Sequence, residues 1–489
     1  MFFNSIDFAV FFLIVFTLYW VISKNKNYRN ILILCASYFF YGWWDWRFLV
    51  LIAGSSCVDF MIGQLLHKTT IQSKRKWLLW MSLVINLGLL FYFKYTNFFI
   101  ESFVSSFKLF GIDLEVSTLS IILPVGISFY TFQTLSYTID IYRKQLEPTK
   151  DIVAFFAFVS FFPQLVAGPI ERASKLLPQF SKSHTFNYEG VKSGLLLIAF
   201  GLFKKVVIAD RAAVIVNQVF NTPEDYEGVQ VIMASFLFAF QIYCDFSGYS
   251  DIAIGVARTL GFNLTKNFDT PYFSRSITAF WRHWHISLST WFRDYVYIPL
   301  GGSRKGNHRT YANLFIVFLV SGLWHGAAIN FVIWGAIHGI IIVFEKVTYT
   351  AKQPVYKYLG LDRNIFSNKL FFGIITFTIV CFAWIFFRAA TFADATILIR
   401  NIFTNNYSLL VSDGLYKLGL ERGNVIILFG AIGSLIGFEI FSKRFSVVSL
   451  LAKQSYIFRW SMYLIIAFVL LILGYYDNEG TSQFIYFQF

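Results

Sequence analysis

The sequence predicts an all-α, polytopic integral membrane protein, and three observations carry that prediction. Of 489 residues, 57% are hydrophobic and only 14% are charged, and the apolar residues are gathered into many separate runs. Soluble domains carry about 25% charged residues. A soluble chain this apolar, with a mean hydropathy of +0.59, could not cover its own surface, so much of that surface must face lipid. A large soluble protein with an unusually thick core is the weak alternative.

The runs can be taken in order. A crossing helix needs roughly 20 apolar residues, with about 17 as the lower limit. Residues 77–93, 116–139, 228–244, 369–387 and 460–476 meet that requirement. Shorter or polar-punctuated candidates are 8–22, 30–43, 48–66, 152–166, 193–209 and 425–438. The block 310–344 is long enough for two segments that turn near 326–330. About eleven full spans are expected on this count. Some shorter runs would be re-entrant, which is tolerated only where protein or water shields the backbone. The first run lacks a basic flank and a small-residue cleavage site, so it reads as a retained span rather than a signal peptide.

No repeat or low-complexity tract stands out, and a single membrane domain over 1–489 is the simplest organisation. Its motif-bearing core would lie at about 116–345. The polar stretches 353–368 and 401–424 look like loops that set off a C-terminal helical group at 369–489.

Net charge is +14. The basic residues fall between apolar runs, at Lys24 to Arg29, Lys68 to Lys76, Lys204 with Lys205, Arg304 to Arg309, and Lys443 with Arg444. That is how the positive-inside rule marks cytoplasmic loops, so the partner implied is a lipid bilayer and no nucleic acid is expected. Cys35, Cys57, Cys244 and Cys381 all sit in apolar sequence without metal-ligand spacing. Neither a disulfide framework nor redox chemistry is indicated.

The stretch 263–309 is rich in charge and aromatic rings, yet too polar to cross a bilayer. Trp281, Trp284, Leu288, Trp291 and Tyr295 recur there at spacings of three and four, which predicts an amphipathic helix. At about 100° per residue, Arg282, Ser289 and Arg293 share another face, with His285 on the border. A helix lying along the membrane interface explains the stripe. It does not explain the histidine.

Candidate chemistry centres on His325, in Ser321-Gly322-Leu323-Trp324-His325-Gly326. From Arg309 at the membrane surface, a helix rising about 1.5 Å per residue puts His325 roughly 24 Å away. That is deep in a hydrocarbon core of about 30 Å. Ionisable groups at such depth are costly and line cavities or pair with partners. Neutral imidazole also suits proton abstraction near pH 7. Position alone weighs this equally against a structural hydrogen bond between helices. In Cys244-Asp245-Phe246-Ser247-Gly248-Tyr249-Ser250-Asp251, the carboxylates could orient a histidine. The favoured reading is that Asp245 and Ser247 cap a helix starting near Tyr249. Cys244 reads as a buried structural thiol rather than a nucleophile. A Gly-x-Ser-x-Gly element and phosphate-binding glycine loops are both absent. A zinc site from His283, His285 and His325 has no recognisable ligand pattern behind it, so no metal is expected.

Several segments together resemble the membrane-bound O-acyltransferase (MBOAT) family, in its bacterial alginate-type branch. They are Phe280-Trp281-Arg282-His283-Trp284-His285-Ile286-Ser287-Leu288-Ser289-Thr290-Trp291, Arg293-Asp294-Tyr295 and Gly301-Gly302-Ser303-Arg304-Lys305-Gly306. Gly322-Leu323-Trp324-His325-Gly326 and Asp245-Phe246-Ser247-Gly248-Tyr249-Ser250-Asp251 belong with them. So do Leu123-Pro124-Val125-Gly126-Ile127-Ser128-Phe129, Phe162-Pro163-Gln164-Leu165-Val166-Ala167-Gly168-Pro169 and the terminal Tyr486-Phe487-Gln488-Phe489. The resemblance covers essentially the whole chain, and the combination is specific. His283 departs from the family pattern, which carries Arg or another residue there.

The resemblance implies the MBOAT fold, in which spans, re-entrant and interfacial helices surround a central tunnel. It implies His325 as the catalytic histidine and His285 as the second characteristic polar position. Donor would enter from the cytoplasm and acceptor from outside. No bound cofactor is expected. The donor would be a thioester such as acetyl-CoA or an acyl carrier, which the basic loops could also attract. His325 would act as general base on a hydroxyl, with Arg282, Ser289, Arg293, Asp245, Tyr249, Ser250 and Trp324 as weaker candidates for holding donor or substrate. Relatives in this branch hand acetyl to a separate extracytoplasmic transferase that modifies alginate, another exopolysaccharide or peptidoglycan, which implies the bacterial inner membrane. The teichoic-acid D-alanylation branch shares the two histidines but matches less well. Two other classes stay open here. A transporter of a polysaccharide or lipid precursor would move substrate without acyl transfer. A non-catalytic scaffold would tolerate loss of His325.

Overall fold

The structure is a computed structural model. It describes residues 1–489 apart from 109, 115, 167, 362–364, 405–417, 477–483 and 486–489. Ala167 and the terminal Tyr486 to Phe489 of the family-like segments lie outside the described residues. Among the described residues every regular element is helical. Two compact units emerge. One comprises Met1–Ile198 with Ile252–Thr265, and the other Ala199–Asp251 with Lys266–Phe489.

Seven stretches are long and apolar enough to cross a membrane: Lys26–Lys68, Gln72–Lys108, Val229–Thr259, Ile329–Val347, Phe366–Arg388, Arg422–Ser442 and Tyr456–Leu473. The first holds two successive helices, Lys26–Asp45 and Leu49–Lys68. Shorter apolar helices cover Ile6–Ile22 and Ile152–Leu165. The Tyr456–Leu473 helix buries none of its residues, and Ile457 and Ile472 are 78% and 72% exposed. An apolar helix left bare by its own protein suits a lipid surround, because its backbone is satisfied internally while its side chains are not covered. The chain is a multi-pass membrane protein.

In the first unit, the starts follow local capping. Asn25 accepts from the amides of Asn27 and Tyr28 at the head of Lys26–Asp45, and Asp151 accepts from Ala154 at the head of Ile152–Ser160. The run 116–139 does not form one span. Helix begins only at Ile127, after Pro124 and a left-handed Gly126 (φ 75°). A Cβ on Gly126 would fall 2.7 Å from the Leu165 carbonyl oxygen, so the turn requires glycine.

In the second unit, Asn307–His325 and Ile329–Val347 form a helical hairpin, which realises the turn expected near 326–330. Gly322 and Gly335 let the two backbones touch. A Cβ on Gly322 would sit 2.2 Å from the Phe331 carbonyl oxygen, and one on Gly335 2.3 Å from that of Phe318. Small residues at helix crossings are how membrane helices approach closely without a hydrophobic drive between them. Asn330, just past the turn, donates to the carbonyls of Phe386 (3.2 Å) and Ala389 (2.7 Å). That ties the hairpin tip to the end of Phe366–Arg388.

The Asp245 to Asp251 segment corrects a sequence expectation. It lies inside the continuous Val229–Thr259 helix rather than at a helix start, so Asp245 and Ser247 cap nothing. Instead, Lys205 lies between Asp245 (2.7 Å) and Asp210 (2.8 Å), all three buried. Lys204 bonds Ser247 (3.0 Å) and pairs with Asp251. The amide of Ile485 donates to Asp245 (2.6 Å), and Phe484 packs on Tyr249 with centroids 4.5 Å apart. Buried charge in an apolar setting is retained only when paired in this way.

Candidate active site

The expected single amphipathic helix through Trp281 to Tyr295 is two short helices, Ile277–His283 and Ile286–Phe292, with a break at Trp284 and His285. His285 adopts a left-handed backbone (φ 44°). For a residue with a Cβ this is uncommon and costs energy, so the surroundings must hold it there. They do. Asn267 runs alongside the break: its carbonyl accepts from the Ile286 amide (2.9 Å), and the amide of Asp269 donates to the His283 carbonyl (2.9 Å). Ser276 caps Ile277–His283 through the Ala279 amide. Glu345 adds its carboxylate to the same end, accepting from the amides of Ile277 (2.8 Å) and Thr278 (3.0 Å) and the Thr278 hydroxyl (2.6 Å). A carboxylate at a helix N-terminus also meets the positive end of the helix dipole.

The break turns His285 inward rather than leaving it on the border of a stripe. It is fully buried, with its ring 4.7 Å from Phe246 and 6.1 Å from Trp324, centroid to centroid. His325 is the last residue of Asn307–His325, and it is buried. Its ring meets Trp324 (4.9 Å), Trp334 (5.1 Å), Phe387 (5.3 Å) and His285 (6.4 Å). Two imidazoles thus share an aromatic cluster inside one unit. His285 lies outside the spanning helices, and burial pulls its pKa down to about 3. The ring is therefore neutral at physiological pH.

The other candidates separate. Trp324 packs against both histidine rings, and Ser250 accepts a hydrogen bond from Asn267 Nδ2 (3.2 Å). Asp245 and Tyr249 belong to the buried Lys205 cluster, where the ammonium lies 5.5 Å from the centre of the Tyr249 ring. Arg282 and Arg293 do not share a face aimed at the histidines. Both are exposed, and Arg293 is paired with its neighbour Asp294 (2.7 Å). Ser289 donates to the Trp284 carbonyl (3.4 Å), which keeps the second short helix close to the break. His283 is half-buried with Nδ1 3.3 Å from Ser274 Oγ.

Three contributors were given no role from the sequence. Asn267 holds His285 by its side chain as well as its backbone, with Oδ1 3.1 Å from His285 Nδ1. Trp334 packs on the His325 ring and is stacked on Trp384 at 5.7 Å. His338 accepts from Trp281 Nε1 (3.2 Å), fixing the indole against the hairpin. His338 was visible in sequence as the second ionisable residue of its block. Asn267 and Trp334 carried no periodic or motif signal that separates them from a loop residue and a core residue.

Residues 149–387 match the model of the MBOAT, membrane-bound O-acyltransferase family. The chain is 36% identical to a probable alginate O-acetylase of Pseudomonas putida, over all of both chains. It is 41% identical to a probable alginate O-acetylase of Azotobacter vinelandii, over 80% of this chain and 75% of the relative. It is also 36% identical to a peptidoglycan O-acetyltransferase of Helicobacter pylori, over 76% of this chain and 73% of the relative. The likeness runs the length of the chain. The chain belongs to the membrane-bound O-acyltransferase family and is a membrane O-acyltransferase.

Proposed function

We propose that this protein moves acetyl from a cytoplasmic thioester donor, acetyl-CoA or an acetylated carrier, across the membrane for O-acetylation of an extracytoplasmic polysaccharide. The polymer would be an alginate-like exopolysaccharide or peptidoglycan, the acceptors named for relatives of this chain. A separate extracytoplasmic transferase would complete delivery, with the protein in the bacterial inner membrane. The observation that carries the chemistry is the pair of buried imidazoles 6.4 Å apart in an aromatic cluster.

In the step proposed, His325 removes the proton of an acceptor hydroxyl while its oxygen attacks the thioester carbonyl. The C–O bond forms, the C–S bond breaks, and the thiolate leaves to be protonated as a free thiol. A positioned base contributes about a hundred- to ten-thousandfold. Alignment of two substrates arriving from opposite faces contributes further. The surrounding Trp324, Trp334 and Phe387 rings keep the reacting atoms from bulk water.

Membranes containing the protein, its partner transferase and candidate polysaccharides would be incubated with acetyl-labelled acetyl-CoA. Label should reach the acceptor with wild type and not with His325→Ala. Label reaching acceptor equally in both would remove the base assignment. No transfer by wild type from any thioester donor would overturn the reading and favour transport or scaffolding.

A further inference from the structure

His285 is held by Asn267 in a way that fixes which ring nitrogen carries hydrogen. The Ser287 backbone amide lies 3.3 Å and its hydroxyl 2.9 Å from Asn267 Oδ1. A backbone N–H can only donate, so the Asn267 atom facing it is the oxygen and not the amide nitrogen. The other end agrees, because Nδ2 donates to Ser250 Oγ at 3.2 Å. The same oxygen lies 3.1 Å from His285 Nδ1. Two acceptors cannot share that distance without a hydrogen between them, so Nδ1 carries it. A neutral imidazole has one N–H. Nε2 is left with its lone pair, buried and without a hydrogen-bond partner among the described residues.

We infer that Asn267 is the positioning residue of the site: it locks His285 in the Nδ1–H tautomer, so that Nε2 is offered to substrate as a hydrogen-bond acceptor. This deepens the acyl-transfer reading of the histidine pair and rests on it. In this tautomer His285 receives the hydrogen of a substrate group beside His325, and it does not donate to a developing oxyanion. An unpaired buried acceptor is costly, and the left-handed backbone at His285 adds to that cost. Both are tolerated because Asn267 grips the break by its side-chain oxygen and its backbone carbonyl, while its side-chain nitrogen anchors it to Ser250 of Val229–Thr259. Around the ring stand Phe246, Phe268, Trp324 and His325, and His325 is the titratable one among them.

The direct test is nitrogen NMR of the full-length protein in nanodiscs with ¹⁵N-histidine, the His285 signals being assigned by their loss in His285→Asn. A protonated Nδ1 and an unprotonated Nε2 are expected. The reverse pattern would overturn the inference whatever the activity. Label transfer from acetyl-CoA is measured alongside, so a correct tautomer with no transfer by any variant would sink the acyl-transfer reading and leave the tautomer standing. Asn267→Ala should scramble the tautomer and lower kcat about ten- to a hundredfold, the scale of losses when a histidine's outer partner is removed. Asn267→Asp keeps the acceptor and adds a negative charge, so it remains informative if the alanine variant does not fold. The charge favours imidazolium and should move the acid limb of the pH profile to higher pH. An unmoved profile in a folded Asn267→Asp protein would overturn the inference.

Discussion

His285 and His325 come from separate helical elements, and their rings meet at 6.4 Å with 61° between their planes. His325 ends a long helix where Gly326 starts the turn, and His285 sits in a break between two short helices. Each is placed by an interruption of helix, where the side chain can leave the regular surface and join the aromatic cluster.

Replacing His325 by alanine should lower acyl transfer by about a hundred- to ten-thousandfold. The protein should still reach the membrane, since the substitution shortens one side chain at a helix terminus. Activity and membrane-fraction abundance measured together check this. Near-normal transfer at normal abundance would refute the base assignment.

At position 285 the identity of the replacement should matter in an unusual way. Asn tolerates the left-handed backbone and its amide nitrogen can stand where Nδ1 donates to Asn267. His285→Asn should therefore fold while losing transfer. Val is β-branched and strained at that φ, so His285→Val should lose abundance as well. Fluorescence-detected size exclusion reports the fold, and label transfer reports the chemistry.

Acid should destabilise the protein partly through His285. Its folded pKa of about 3 lies below the unfolded value of 6.5, so the unfolded chain takes up the proton first as pH falls. The stability contributed by the neutral ring is complete above about pH 6.5 and declines from there toward 3, at up to about 1.4 kcal/mol per pH unit. Thermal unfolding in detergent between pH 7 and 4 should show a shallower decline for His285→Asn than for wild type. Equal slopes would contradict the assignment.

Gly322→Ala should cost about 1–3 kcal/mol, because the new methyl must displace the Phe331 carbonyl of the facing helix. Since His325 follows one turn later, the shift should lower transfer too. Gly54→Ala, where a Cβ meets nothing within 4 Å, is the control and should change the unfolding temperature little.

Lys205→Met should be among the most damaging single changes, at about 3–5 kcal/mol, because Asp210 and Asp245 would be left buried without their cation. Lys205→Met combined with Asp210→Asn and Asp245→Asn should recover much of the loss. If the triple variant were no more stable than the single one, the ion cluster would not be the cause.

The membrane class, the helical content and the hairpin turning after Gly326 were all legible in the residues, and so was His325 as the residue to follow. Apolar runs report burial in lipid regardless of packing, and a histidine in an otherwise uncharged block is conspicuous wherever it points. The helix start at Ile127 was missed because hydropathy averages through Pro124 and Gly126. The capping role drawn for Asp245 and Ser247 failed because Lys205 satisfies the Asp245 carboxylate inside a continuous helix. The spacing of Trp281, Trp284, Leu288 and Trp291 fits one helix well. Nothing in that periodicity announces a left-handed residue in the middle of it.

The sequence by itself determined that the chain spans a membrane, that it resembles one acyltransferase family throughout, and which two histidines to follow. Those are properties of composition and local order. Only the tertiary structure decided that the two rings share one aromatic cluster, that Arg282 and Arg293 stay outside it, and that Asn267 sets the hydrogen on His285. Each of those depends on a distance between residues far apart in the chain. Such distances are set by how helices pack and where they break, which periodicity along a single segment does not encode.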